Sequence, residues 1–358
     1  MRVTLAQTHF KKALSLLNTI VKKNNIGPFS WVKLRTNGNS LLLQGTNGNV
    51  YLTIPVQAEI DEQGEICVEA AELLNAVKPI KMKNIEIFIK SEKFTGDDKL
   101  ALKTDNITQL IELKPVEMFP HFPNPEFQAS LPAPMLYDGI EKVGFAVAKE
   151  RGPLGHLYID GRGDHVRFVG SDGHRLAVLK NEYAFDLKVK LYHESLGILK
   201  ELLKTEYEHV HIGYGESKLV FITNGTWTIA IQDFSVEKYP TYEAVVPPAD
   251  VYDIVVEFSI EDLGNALKYF MDSDRITLEF ISNEFFKIQS RDKEIFIKAN
   301  VYGLDIPSDS FSSDIGFYLD FNPRQLKEFT DVAGKGIIEA RFKNDDEVPA
   351  MFKVNDDY

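Results

Sequence analysis

A single cysteine among 358 residues, Cys67, excludes an intramolecular disulfide and a cysteine-rich zinc site. It lies in the apolar stretch EICVEAAELL, where a thiol packs as a small buried hydrophobe. No run approaches 18 uncharged apolar residues, so no membrane-spanning helix is expected. The opening MRVTLAQTHF lacks the apolar core of a secretory signal, which points to the cytoplasm. There is no HExxH or cysteine-histidine cluster, and neither a metal nor a cofactor is expected. A positive charge excess is also missing: 40 Lys and Arg face 53 Asp and Glu, a net charge of −13. That argues against a domain basic throughout, as simple nucleic-acid binders are. It does not exclude a protein that gathers its positive charge on one face.

What the chain does have is repetition. Its length predicts more than one domain, because a single core rarely grows past ~250 residues. GTNGNVYLTIPV begins at Gly45 and GSDGHRLAVLKN at Gly170, 125 residues later. Glu69 in VEAAELLNAV and Glu194 in HESLGILKELL are also 125 apart. Pro120 in MFPHFPNP and Pro240 in KYPTYEAVVP are 120 apart. Amphipathic helices are expected over THFKKALSLLNTIVKK, APMLYDGIEKVGFAVAKE, SIEDLGNALKYFMD and NPRQLKEFTDVAG, with apolar residues at i, i+3, i+4 and i+7. Short strands of period two, such as KLALKTD, KLVFITNG and FFKIQS, fill much of the rest. The reading is three α+β units, 1–124, 125–250 and 251–358, each with two helices on antiparallel strands. The third offers only IIEARFK and AMFKVN after its second helix, where each of the others offers three strands. It is therefore expected to be one strand short.

GSDGHRLAV carries a Ser, an Asp, a His and an Arg within five positions. A nucleophile elbow needs G-x-S-x-G, which this is not. Asp-Gly between apolar runs is a hairpin signal, because Gly tolerates φ > 0. From the residues alone, a hairpin with polar ends, a binding turn and a hydrolase using Ser171 and His174 all stay open.

GSDGHRLAV resembles the S/T-D-G-H-R-L-A signature in the middle domain of the bacterial DNA polymerase III β subunit family, the β sliding clamps. GTNGNV, IEKVGFAVAKE, MFPHFP and EKYPTYEAVVP are similar to further family segments. The likeness runs over nearly the whole chain and is weakest in the third unit. It implies three tandem clamp domains, and two chains closed head to tail into a homodimeric ring with helices lining the hole. It implies a processivity factor rather than an enzyme. Double-stranded DNA is encircled without sequence preference, and the replicative DNA polymerase, the clamp loader and other clamp-motif proteins dock on the ring. An interaction or regulatory protein that forms no loaded ring is the alternative.

By the same resemblance, Leu154, Ser171, Gly173, His174, Arg175, Leu176, Pro240, Val245 and Asn322 form the groove that takes partner peptides. The lysines Lys11, Lys12, Lys22, Lys23, Lys78, Lys81, Lys83 and Lys149, with Arg151, line the DNA channel. Some positions depart from the family. Ala71–Glu72 and His193–Glu194 stand where Arg–Lys is common, and the fifth helix carries Glu261, Asp262, Asp272 and Asp274. Ala244 and Gln325 replace a groove Arg and Tyr, and the loop MDSDR is short. The family's last strand carries M-P-[ML]-R-[LV], and NDDY stands where it would begin. An altered groove is the expected consequence.

Overall fold

The computed structural model describes residues 1–21, 26–91, 97–104, 107–150, 152–204, 208–215, 218–234, 238–280, 282–303, 317–343 and 347–354. One element order recurs along the chain. The first unit runs β1 (Arg2–Ala6), α1 (Gln7–Ile20), β2 (Trp31–Asn37), β3 (Ser40–Thr46), β4 (Val50–Glu62), β5 (Glu65–Glu69), α2 (Ala70–Val77), β6 (Asn84–Ser91), β7 (Asp98–Lys103) and β8 (Thr108–Lys114). The second repeats it as β9 (Ala129–Pro132), α3 (Ala133–Val143), β10 (His156–Gly161), β11 (Val166–Ser171), β12 (Leu176–Asn181), β13 (Lys188–Tyr192), α4 (His193–Leu203), β14 (His209–Tyr214), β15 (Leu219–Thr223) and β16 (Thr228–Gln232). The third has β17 (Ile254–Ser259), α5 (Ile260–Leu267), β18 (Ile276–Phe280), β19 (Phe285–Gln289), β20 (Glu294–Tyr302), β21 (Phe317–Phe321), α6 (Pro323–Ala333), β22 (Ile337–Phe342) and β23 (Met351–Val354). It holds seven strands among the described residues, where each sibling holds eight.

The helices pair within each unit, α1 with α2, α3 with α4 and α5 with α6. Periodicity explains why. In α1, Phe10, Ala13, Leu14, Leu17 and Ile20 are buried, while Lys11 and Lys12 stay exposed. The third helix is shorter than its apolar pattern predicts. It is α-helical only to Val143 and continues as a 3₁₀ turn, Gly144–Ala146. The chain must turn there so that Val147 can pack on Gly170, where a Cβ would lie 2.9 Å from Val147 Cγ2. The fifth helix likewise ends at Leu267 and passes into a 3₁₀ turn, Lys268–Phe270.

All strand pairings are antiparallel. In the first unit the sheet runs β1-β6-β7-β8-β5-β2-β3-β4 and returns from β4 to β1. β4 is shared. Its Ala58–Glu62 half pairs with β1, and its Val50–Thr53 half pairs with β16 of the second unit. This joins β16, β15, β14 and β9 of the second unit to the first unit's sheet, while β12-β11-β10-β13 form a sheet of their own, and one apolar core runs through both units. The third unit's sheet, β21-β18-β19-β20-β17-β22-β23, is separate, with its own core around Phe258, Phe280, Phe286 and Phe342.

Candidate functional site

The G-S-D-G-H-R stretch is a hairpin turn, and the chain builds the same turn three times. Asp172 Oδ1 accepts from the His174 and Arg175 amides, both at 3.0 Å. Asn47 Oδ1 accepts from Asn49 and Val50 at 2.9 and 2.8 Å, and Asn224 Oδ1 from Thr226 and Trp227 at 2.9 and 3.0 Å. The hydroxyl one residue earlier, on Ser171, Thr46 or Thr223, accepts from the glycine amide at 3.0–3.1 Å. Gly173, Gly48 and Gly225 all sit at φ between 85° and 88°, which demands glycine. Ser-Asp-Gly is thus turn chemistry. The Ser171 hydroxyl donates to the Arg175 carbonyl at 2.9 Å, so it is committed to closing the turn and is not poised as a nucleophile.

The residue after His174 sets this turn apart from the other two. Arg175 makes four contacts with three residues. Its Nε lies 3.0 Å from Asp172 Oδ2, and its Nη2 donates to the Phe145 carbonyl at 2.8 Å. Its guanidinium stacks on the Phe145 ring, 5.1 Å from the centroid. Its Nη1 forms an ion pair with Glu328 of α6 at 2.6 Å. Arg175 therefore ties the second unit to the third.

Leu154 packs over the turn, 3.9 Å from where a Cβ on Gly173 would be. The Ala148 amide bonds both the Leu154 and Ser171 carbonyls at 3.1 Å, which holds the two segments together. His156, fully buried, anchors the Leu154 loop: its Nδ1 lies 2.9 Å from the Gly152 carbonyl. Burial lowers the His156 pKa and keeps the ring neutral, although Asp233 at 3.7 Å pulls the other way. Nδ1–H is then the donor to Gly152.

Pro240 is exposed and follows Tyr239, which stacks on Tyr158 of β10 at 4.6 Å. Val245 is 61% exposed and ends a 3₁₀ turn, Tyr242–Val245. A buried polar cluster pins that turn. Tyr242 donates to Asp160 at 2.8 Å, Arg162 binds Asp160 and Glu243, and Arg167 donates to the Tyr242 hydroxyl at 3.2 Å. Burial opposes the charge on Asp160, but hydrogen bonds from Arg162 and Tyr242 outweigh it and hold its pKa below the ordinary value. Asn322 caps α6, its side chain accepting from the Arg324 and Gln325 amides.

Of the nine residues expected in the groove, Leu154, Ser171, Gly173, His174, Arg175 and Leu176 come together around one turn. Ser171, Arg175 and Asn322 already spend their polar groups inside the protein. His174 is exposed and Leu176 half-buried. Nothing in the local sequence marks Glu328 or Phe145 as neighbours of the turn, or the Asp160 cluster as the anchor of Tyr242–Val245. T-N-G-T at 223–226 does carry the signal of the third turn.

Of the residues expected to line a channel, Lys22, Lys23 and Arg151 lie outside the described residues. Lys11 and Lys12 are exposed on α1, Lys78 caps the C-terminus of α2, and Lys81, Lys83 and Lys149 are exposed on the segments after α2 and α3. The third unit's helices expose Glu261, Asp262, Glu328 and Asp331 alongside Arg324. Among the described residues no group of three His, Cys, Asp or Glu could hold a metal ion, and no helix is long and apolar enough to cross a membrane.

Three α+β units, each with a pair of helices packed on antiparallel strands, define the architecture seen in the solved sliding-clamp structures. Residues 1–122 match the family described as DNA polymerase III beta subunit, N-terminal domain. The beta sliding clamp of Rickettsia felis is 23% identical over 360 residues, covering 96% of this chain and 93% of that protein. The Pseudomonas aeruginosa beta sliding clamp is 28% identical over 258 residues, 69% of this chain and 68% of that one. Among solved structures, a Pseudomonas aeruginosa sliding clamp bound to griselimycin superposes with a TM-score of 0.86 at 24% identity, covering 100% of this chain and 97% of that one. The Thermotoga maritima β subunit gives 0.83 at 19%, covering 99% and 96%. The first 122 residues thus match the N-terminal-domain family of the DNA polymerase III beta subunit, and the whole chain is similar to beta sliding clamps and shares the fold of their solved structures.

Proposed function

We propose that this chain is a DNA polymerase processivity factor, a scaffold without catalysis of its own. Two copies close head to tail around duplex DNA, and the groove beside Gly173 and Leu176 tethers the replicative polymerase, the clamp loader and other clamp-motif proteins in the cytoplasm. Unit boundaries fall near residues 124 and 250. The observation that carries the reading is the β4–β16 joint, because the chain's two ends offer the same two halves again. β20 corresponds to β4. Its Ala299–Tyr302 half pairs with β17, as the end of β4 pairs with β1, and among the described residues its Glu294–Ile297 half pairs on one side only. β8 corresponds to β16. Only its Leu113 and Lys114 reach β5, and Thr108–Ile111 keeps one side open among the described residues. Pairing β20 of one copy with β8 of the next closes a ring and covers Phe296, 54% exposed, and Leu110.

The lysines of the first unit supply weak, sequence-blind phosphate contacts, which permit sliding. Topology then supplies retention, and an acidic outer surface steers DNA into the hole. Light scattering should find a species of twice the 40.6 kDa chain mass. Loaded on nicked circular DNA, the protein should stay bound through a high-salt column and come off when the circle is linearised. A persistent monomer that circles do not retain would favour the regulatory reading, which the acidic face of the third unit's helices supports.

A further inference from the structure

Three stretches of this chain read Thr-Asn-Gly: residues 36–38, 46–48 and 223–225. Asparagine before glycine is chemically labile, because the bare glycine backbone lets its nitrogen reach the asparagine side-chain carbonyl carbon. The local sequence is the same at all three, so a difference in reactivity comes from the fold. In two of them the turn ties the reacting groups down. Asn47 Oδ1 accepts from the Asn49 and Val50 amides, and the Gly48 amide donates to Thr46 Oγ1 at 3.0 Å. Asn224 and Gly225 are held in the same way, with the Gly225 amide donating to Thr223 Oγ1 at 3.1 Å. There the glycine nitrogen reaches the side chain only after these hydrogen bonds break.

The remaining stretch is built differently. Thr36 spends its hydroxyl elsewhere: Oγ1 donates to Gln63 Oε1 at 2.8 Å and accepts from the Gly64 amide at 2.9 Å. Asn37 pairs with Ser40 in the β2–β3 ladder, so Gly38 and Asn39 alone make the turn. Asn37, Gly38 and Asn39 are all exposed, and a Cβ on Gly38 would meet nothing within 4 Å.

We propose that Asn37 is a site of spontaneous modification by water, the one Asn-Gly pair of the three that the fold leaves reactive. The Gly38 nitrogen attacks Asn37 Cγ. The N–Cγ bond forms, the Cγ–Nδ2 bond breaks, and the side-chain nitrogen leaves as ammonia with the proton that the Gly38 nitrogen gives up. Water then opens the cyclic succinimide at either carbonyl, leaving aspartate or isoaspartate. The site gains negative charge, and the isoaspartyl product carries an extra main-chain carbon. Both changes fall beside the Asn39 carbonyl, which accepts from the Ala58 amide at 3.0 Å where β4 passes from β3 to β1. The inference is independent of the clamp reading.

The test incubates the full chain at mildly alkaline pH and physiological temperature. Peptide mass spectrometry then follows the replacement of NH by O, with fragment ions assigning it to Asn37, Asn47 or Asn224. Asn37 is expected to convert at least about fivefold faster than either of the others, the factor for a single hydrogen bond broken first. In guanidinium chloride, where only the shared local sequence acts, the three rates should converge. Thr223→Val removes the hydroxyl that holds the Gly225 amide, and it should raise the Asn224 rate several-fold while leaving Asn37 as it was. A smaller ratio in the folded chain, a ranking that persists in the unfolded chain, or an Asn224 rate unmoved by Thr223→Val would overturn the proposal.

Discussion

Where the second unit meets the first, Ile229 and Ile231 of β16 lie opposite Leu52 and Val50 of β4, and all four are buried. Where it meets the third, the described contacts are packing of α3 on α6 and the Arg175–Glu328 ion pair. The Asp160 cluster adds to this by pinning the connecting turn at Tyr242–Val245. One joint excludes water and is held by a ladder and apolar area. The other combines packing of α3 on α6 with an ion pair, one charge of which is on Glu328, whose side chain is 49% exposed. An apolar joint is insensitive to pH and salt, and a charged one answers to both.

The largest effect should come from breaking the apolar joint. Ile229→Asp places an unpaired carboxylate in a fully buried site and should cost about 4 kcal/mol or more in denaturant unfolding.

Acid should act next, and on the second unit and its connection to the third. His156 has a folded-state pKa below its unfolded value, so its contribution is complete above about pH 6.5 and is lost as pH falls through the folded value. Asp160 is also depressed, so its contribution is complete above the ordinary carboxylate range and is lost as pH falls through the lower folded value. Stability should therefore fall in two windows, each with a slope of at most ~1.4 kcal/mol per pH unit per proton. Urea midpoints measured across pH, with His156→Gln flattening only the upper window, check this.

Arg175→Gln removes the bridge to Glu328 and the stack on Phe145. Both partners are partly exposed, so the expected cost is only about 1 kcal/mol. The clearer readout is faster proteolysis of the segment between β16 and β17. Smallest of all, raising salt from ~0.1 to ~1 M shortens the screening length from ~10 to ~3 Å and should weaken the charged joint by a few tenths of a kcal/mol. Hydrogen exchange at β16 should not respond.

The repeat was readable because it rests on local signals. The turn residues at 45–50 and 170–175, the helix periodicities and the alternation of short strands need only neighbours in sequence. The first glycine of each turn is explained by packing: a Cβ on Gly45 would meet Leu17 and Val21 within 2.9 Å, and one on Gly170 would meet the Val143 carbonyl at 2.8 Å. The role of Arg175 was not readable. Its main partner lies 153 residues away, and the helix that carries Glu328 shows only an ordinary amphipathic pattern. The Asp160 cluster was hidden for the same reason, since Tyr242 and Asp160 are 82 residues apart. Cys67 matched its local context: burial raises its pKa to about 12, so the thiol is unreactive at neutral pH.

One strand, β4, belongs to two units at once. Loss of the first unit strips β16 of its partner and opens a core that both units share. Neither can melt while leaving its neighbour intact. The third unit, with its own core, can. Heating should therefore produce two calorimetric transitions with unequal enthalpies, about one third and two thirds of the total if enthalpy scales with residue number. The smaller belongs to the third unit, so the chain melts as a linked pair and a single.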